Sequence, residues 1–381
     1  MNLKRFYIVS IFNFLSFFAF ALLTTQLIPY MKYLKYDLVQ QGYILAISAI
    51  IAIFGQFLFG YLCDRYQSLK KFYYLSYFIV LLSAIGMFLF QKNYFIYHLI
   101  MISLMMGMVK VVIALNETWM QQMDHQHYGK IRAAGAIGLT LGAFFTGIFI
   151  TKFNYQNILF VFLFLSLFLL FIIHAIPDIK QQTKTKITYV HLKVLLTNKN
   201  YVLLVIIYLL LYMVGTADQY VVIDKMVGMG ANSSVIGYKW AIQSLMEIPV
   251  LIGSQYILKR VSLFTLLKIA SLMYSIKFIL YGLSTTAFMI IASASLQLVT
   301  LPIIMITSKI LISKVTTKEY QTSAHMFAMA IFIGFSGFIT PLITTRLCKA
   351  YGSNITLFIV ASFCIFPYWL IRYYQKTCEK K

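Results

Sequence analysis

Two side chains in this sequence carry charge where their neighbours carry none. Lys110 lies in Met108-Val109-Lys110-Val111-Val112, and Glu247 lies in Leu245-Met246-Glu247-Ile248-Pro249. An ionisable group at the centre of a membrane helix costs about 2.5–3.5 kcal/mol on insertion scales, so it persists only with a partner, water or a proton. A carboxyl group in the Glu247 setting can take up and release a proton. The competing reading is a structural pairing with a lysine on a neighbouring helix, such as Lys277. Glu117 follows Lys110 by seven residues. That is about two helical turns, so both stand on one face, roughly 10 Å apart along the axis. They are too distant to bond each other, yet both can line one cavity.

Weaker signals surround this pair. Asp218, in Thr216-Ala217-Asp218-Gln219-Tyr220, reads first as a wetted helix end and second as a binding group. Asn13 and Gln297 can hydrogen-bond a solute or join two helices. An unperturbed imidazole titrates near neutrality, which makes His325 a candidate proton carrier, although a packed histidine is the default. Lys239, Lys268 and Lys309 lie near the ends of apolar runs, where long side chains snorkel to water. Lys277 lies deeper and reads as a structural partner. The run Asp124-His125-Gln126-His127 has no ligand spacing on a helix and reads as a solvated turn rather than a metal site. Cys63, Cys348, Cys364 and Cys378 are scattered, which implies neither a disulfide framework nor a metal knuckle. No cofactor is expected.

The elements that must hold these residues follow from composition. Of 381 residues, 61% are hydrophobic and 11% charged, against about 25% charged in soluble domains. Such a chain cannot cover itself with polar surface, which excludes a soluble enzyme, a disordered tail and a nucleic-acid module. Twelve apolar runs are long enough to cross a bilayer: 6–30, 41–62, 72–91, 94–122, 129–151, 156–177, 200–222, 233–257, 262–283, 286–313, 321–346 and 352–373. The first is too long for a signal-peptide core and is read as a retained helix. Of the 32 Lys and Arg, twenty fall on the side of the N-terminus, seven on the other and five within runs. That asymmetry predicts both termini in the cytoplasm. The net charge of +22 is thus mainly a topology signal.

The longest polar stretch divides the chain into two sets of six spans. The expected organisation is a six-helix bundle over 1–177, a cytoplasmic loop over 178–199, a second bundle over 200–373 and a tail over 374–381. A repeat supports this division. Gly42-Tyr43-Ile44-Leu45-Ala46-Ile47 recurs as Gly237-Tyr238-Lys239-Trp240-Ala241-Ile242, and the same register carries Tyr61 onto Tyr256 and Arg65 onto Arg260. The fold class is therefore an all-α membrane protein of two pseudo-symmetric six-helix bundles. Parallel halves of this kind, with a site near the midplane between them, form a transporter architecture.

The loop after the second span reads Gly60-Tyr61-Leu62-Cys63-Asp64-Arg65-Tyr66-Gln67-Ser68-Leu69-Lys70-Lys71. It resembles the Gly-x-Leu-x-Asp-Arg-x-Gly-Arg-Lys loop of the major facilitator superfamily, with Gln67 where the second Gly is usual. Tyr128-Gly129-Lys130-Ile131-Arg132-Ala133-Ala134-Gly135-Ala136-Ile137-Gly138 resembles a segment of the phenylpropionate permease, nucleoside and oligosaccharide proton symporter group. Asn232-Ser233-Ser234-Val235-Ile236-Gly237-Tyr238-Lys239-Trp240-Ala241, with Glu247-Ile248-Pro249 beyond it, resembles that group's seventh loop and eighth span. The resemblance implies that spans one, four, seven and ten line the solute path. Lys110, Asn13, Asp218 and Gln297 are then substrate-binding candidates, with Lys110 facing an anionic group. Glu247, Glu117 and His325 become proton-coupling candidates; His325 stands where relatives tend to have Gln. Gly60, Asp64, Arg65, Lys70, Lys130 and Arg132 become gating-loop candidates. The fifth span carries Gly135, Gly138, Gly142 and Gly147 but no Pro, unlike the Gly-Pro-rich span of drug antiporters.

The function implied is a secondary active transporter, moving a small polar or carboxylate-bearing solute by alternating access, with proton-coupled uptake. Efflux by antiport is the alternative. A membrane-embedded enzyme would need convergent nucleophiles or ligands, and neither His-Glu-x-x-His nor Gly-x-Ser-x-Gly occurs. The expected partners are a solute, protons and the lipid bilayer, with a monomeric functional unit in the cell membrane.

Overall fold

The computed structural model describes residues 3–123, 127–178, 195–316 and 321–379. Among these residues the chain is helical, with no strand. Eleven stretches are long and apolar enough to cross a membrane: Arg5–Tyr33, Leu38–Cys63, Leu69–Leu89, Phe95–Met123, Tyr128–Phe153, Gln156–Ala175, Lys199–Gly228, Ser233–Arg260, Leu263–Leu283, Ala287–Val315 and Phe327–Thr377. The first ten agree with the expected spans to within a few residues. The last runs through the two final spans as one 51-residue stretch, broken locally by Gly352 at φ +80°.

The helices used below are α1 (Leu3–Thr24), α2 (Leu27–Tyr33), α3 (Leu38–Tyr66), α4 (Leu69–Leu89), α5 (Phe95–Met123), α6 (Tyr128–Phe153), α7 (Gln156–Ala175), α8 (Lys199–Gly228), α9 (Ser233–Arg260) and α10 (Leu263–Leu283). Next come α11 (Ala287–Ala294), a 3-10 turn (Ser295–Val299) and α12 (Leu301–Val315). Side-chain caps set several of the starts. Asp37 and Gln40 form a reciprocal capping box at α3, and the Ser68, Ser262 and Thr286 hydroxyls accept from the first turns of α4, α10 and α11.

The chain divides into two compact units. One comprises Met1–Thr183 with Met226–Ile248, the other Lys184–Lys225 with Pro249–Lys381. In the first unit Phe12 packs edge to face on Tyr73 and Trp119, whose own rings are tilted against each other, with centroids 5.6–6.0 Å apart. Tyr73 stacks on Tyr77, whose hydroxyl pairs with Ser166 at 2.8 Å. Glycine sets the crossing of α1 and α6: a Cβ at Gly138 would stand 2.1 Å from the Phe14 carbonyl oxygen. Small residues there let two backbones touch, the packing mode expected of membrane helices. On α7 the opposite condition holds. Phe160, Phe164, Phe168 and Phe171 point outward on one face, Phe171 80% exposed, as a lipid-facing stripe does.

Candidate functional site

The first unit gathers several of the singled-out residues around α1, α5 and α6. Asn13 of α1 donates to the Ile131 carbonyl at 2.7 Å and accepts from Asn116 of α5 at 2.7 Å. Both asparagines are buried. Gly135 leaves the room for this contact, since a Cβ there would lie 2.6 Å from Asn13 Nδ2. Asn116 was not among the sequence candidates, and its one signal is an amide inside an apolar run. The next residue along α5, Glu117, accepts from Arg132 Nε at 3.0 Å. The Arg132 guanidinium also lies 4.6 Å from the Phe17 ring centroid. A proton-coupling candidate and a gating candidate are thus joined in one ion pair. Lys110, halfway along α5, is half-buried, and the Gln56 amide of α3 reaches its backbone carbonyl at 3.5 Å. Glu247, halfway along α9, is also half-buried.

The loop after α3 has its own geometry. Gln67, at the position usually held by Gly in the resembling motif, adopts φ 51° and ψ 40°. This left-handed conformation is the one that favours glycine, so the motif residue has a steric reason. The Asp64 side chain lies outside what is described. Arg65 is exposed beside Tyr61 and Tyr66. Gly60 has open space beside it, and Lys130 is exposed. The carboxylate that closes this end is Asp178. It accepts from Ser68 Oγ at 2.5 Å and from the Leu69 and Lys70 amides at 3.1 and 3.0 Å. Lys70 Nζ in return donates to the His174 and Ile176 carbonyls at 3.1 and 3.0 Å. An anion at the start of α4 and a cation at the end of α7 each complement a helix dipole.

In the second unit the structure corrects several expectations. Asp218 is not a wetted helix end: α8 continues ten residues beyond it and the side chain is 1% exposed. Its Oδ2 accepts from Lys277 Nζ of α10 at 2.6 Å. Lys277 donates as well to Gln297 Oε1 at 2.7 Å, so its carboxylate is Asp218 rather than the suggested Glu247. Lys225 is buried and donates to the Tyr281 and Gly282 carbonyls at 2.5 and 2.9 Å. Asp224 accepts from Ser353 at 3.1 Å. His325 is half-buried, its Nε2 2.8 Å from Ser313 Oγ. Lys268 reaches Gln375 at 3.0 Å and Lys309 is exposed. Back in the first unit, Lys239 does not snorkel: it is fully buried, with Nζ 4.2 Å from the Trp240 ring centroid.

Among the described residues no three His, Cys, Asp or Glu side chains gather as metal ligands. Asp124, His125 and Gln126 lie outside the described residues.

A family model described as MFS_1 like family matches residues 6–360. No curated protein matches the sequence. Among solved structures, the nucleoside transporter NupG superposes with a TM-score of 0.82 at 17% identity, covering 99% of this chain and 100% of that one. A D-xylose–proton symporter gives 0.75 at 13% identity, covering 96% of each chain. The human organic anion transporter MFSD10 gives 0.70 at 14%, covering 97% of this chain and 100% of its own. At such identities these likenesses establish the fold.

Proposed function

The chain belongs to the MFS_1 like family of major facilitator transporters, multi-pass membrane proteins and not enzymes, and on that premise we propose that it carries a small polar or carboxylate-bearing solute across the cell membrane by alternating access, coupled to proton uptake. One observation carries this reading. Lys110 and Glu247 stand at the midpoints of 29- and 28-residue apolar helices, and both are half-buried rather than packed away. Ionisable groups at that depth characteristically face the bundle interior or a water-filled cavity. Lys110 offers a cation to an anionic group, and Glu247 offers a carboxylate that loads and releases a proton. Asn13 supplies further solute-binding polarity, whereas Asp218 and Gln297, also singled out for that role, are closed on Lys277. Glu117 with Arg132 forms a gate at one end, with His325 as a secondary proton group. Gly60, Asp64, Arg65, Lys70 and Lys130 belong to the gating loop.

The same proposal takes the long final stretch as two crossings. As one unbroken helix a 51-residue stretch would be about 77 Å long, more than twice the roughly 30 Å hydrocarbon thickness. The turn at Gly352 supplies the break. Twelve crossings follow, in two six-helix halves with both termini cytoplasmic. The kinship with the permease, nucleoside and oligosaccharide symporter group belongs to this proposal too.

A thermal-shift screen across solute classes selects a ligand, and counterflow of the labelled ligand in proteoliposomes then tests carriage. Glu247→Gln is expected to abolish proton-driven accumulation while leaving exchange measurable. Conductance at channel rates without counterflow overturns carriage, and undiminished accumulation in Glu247→Gln moves the coupling group elsewhere.

A further inference from the structure

The polar cluster of the second unit has the chemistry of a receptor for an ammonium group, and the chain's own lysine fills it. Around Lys277 Nζ stand the Asp218 carboxylate at 2.6 Å and the Gln297 amide oxygen at 2.7 Å. The Tyr281 and Tyr274 ring centroids lie 5.5 and 5.8 Å away. Thr300 Oγ1 stands 3.3 Å from the same Gln297 oxygen. A charged acceptor, a neutral acceptor and two π faces match the three N–H donors and the compact charge of a primary ammonium. All six side chains are buried, so bulk water does not compete for these contacts.

The Gln297 acceptor is presented by an interrupted helix. α11 ends at Ala294, the 3-10 turn takes Ser295–Val299, and Thr300 adopts φ −118° and ψ −99°. α12 begins at Leu301 with Pro302 in its first turn. Proline has no N–H to continue a ladder and is at home in the first turn of a new helix, where none is needed, so α12 starts afresh after the break. Irregular backbone at membrane depth persists only where protein or water satisfies it. The end of α11 is also the negative end of its dipole, which a nearby cation stabilises. The ammonium thus joins the break on α11–α12 to the carboxylate on α8.

We propose that Asp218, Gln297, Tyr274 and Tyr281 form a binding site for a primary ammonium, which Lys277 occupies as a tethered cation. Within the transport reading, on which this consequence rests, the site offers no place to a free coupling cation while Lys277 fills it.

The test is thermal melting of the full-length protein in detergent micelles. Lys277→Ala empties the site and leaves Asp218 buried beside a cavity, with an expected fall in Tm on the order of 5–10 °C. Ethylammonium is expected to restore at least half of that fall in a saturable, concentration-dependent way. Tetramethylammonium, which has no N–H, restores none. Lys277→Met fills the cavity with an uncharged stem and is expected not to respond to ethylammonium. Lys277→Ala combined with Asp218→Asn is expected not to respond either. Equal recovery in Lys277→Met or in the double variant overturns the proposal, as does no recovery in Lys277→Ala. Should Lys277→Ala give no folded protein with or without ethylammonium, while the double variant folds, the proposal also fails. The melt is independent of turnover, so absent counterflow in the parent protein would sink the transport reading alone.

Discussion

Replacing Gly138 by Ala puts a methyl group into the tightest crossing of the first unit. Its Cβ would stand 2.1 Å from the Phe14 oxygen and 2.8 Å from the Phe14 carbonyl carbon. Carbon and oxygen sit comfortably at about 3.3–3.6 Å, so α1 or α6 must retreat by roughly 1 Å. Pivoting does not relieve the contact. One turn on, a Cβ at Gly142 would already lie 2.7 Å from Ala21 Cβ and 2.9 Å from the Phe18 oxygen, so the same two backbones are tight there as well. Overpacking costs about 1–3 kcal/mol, and Ala recovers about 1 kcal/mol of helix propensity over Gly. A net loss of up to about 2 kcal/mol follows, a fall in Tm of up to several degrees. The displacement also pulls Asn13, next to Phe14, away from Ile131 and Asn116, so solute exchange falls with stability. Gly253→Ala is the control, because nothing lies within 4 Å of its Cβ; it reports propensity alone and should melt at or slightly above the parent. Thermal melting of both variants decides the matter. A Gly138→Ala protein as stable as Gly253→Ala, with normal exchange, refutes the close crossing and the positioning of Asn13 that depends on it.

Three further outcomes are expected. Gln67→Gly relieves the left-handed backbone at the end of α3 and should stabilise by about 1 kcal/mol, visible as a higher Tm; a lower one would show that the Gln67 side chain is worth more than the strain. Glu117→Gln and Arg132→Gln, singly and together, should show non-additive effects on exchange rate, with a coupling near 1 kcal/mol for a pair whose side chains are 16% and 27% exposed; strict additivity would separate the two residues. Lys110→Ala should weaken an anionic solute at least tenfold more than a neutral one in a competition assay, and equal loss for both would reduce Lys110 to a structural role.

The spans were legible because hydropathy is summed over some twenty residues, and a few misplaced positions do not change the sum. The last two were not separated the same way in the structure, since their boundary is one φ angle at Gly352. Site chemistry was legible as residue type and depth but not as partnership. Asp218 and Lys277 lie 59 positions apart, and their meeting depends on how α8, α10 and the α11–α12 break cross. No periodicity along the chain encodes such a crossing. The sequence reading therefore offered Lys277 as the competing partner for Glu247, and placed Lys239 near water. A lysine near a helix end snorkels only if its stem points outward, and the run of apolar neighbours around Lys239 does not reveal that. Gln67 is the reverse case: the expected motif had Gly there, and the αL backbone supplies the reason.

Partnership also sorts the charges by what they can do in a cycle. Moving a two-state equilibrium from 1:99 to 99:1 takes about 5.5 kcal/mol of differential binding. Breaking a buried pair by removing one partner costs about 3–5 kcal/mol. A carrier that had to part Asp218 from Lys277 at each turnover would consume most of that driving force on one contact. A half-buried carboxylate at the middle of α9 demands less, because a proton removes its charge altogether. The enclosed groups, Asp218 with Lys277 and Lys225 on its two carbonyls, are therefore better suited to fix helices that must keep their shape. The half-buried ones, Lys110 and Glu247, are suited to change state. On this argument the depth of a charge makes it a candidate, and the share of its surface left open decides whether it holds the fold or takes part in turnover.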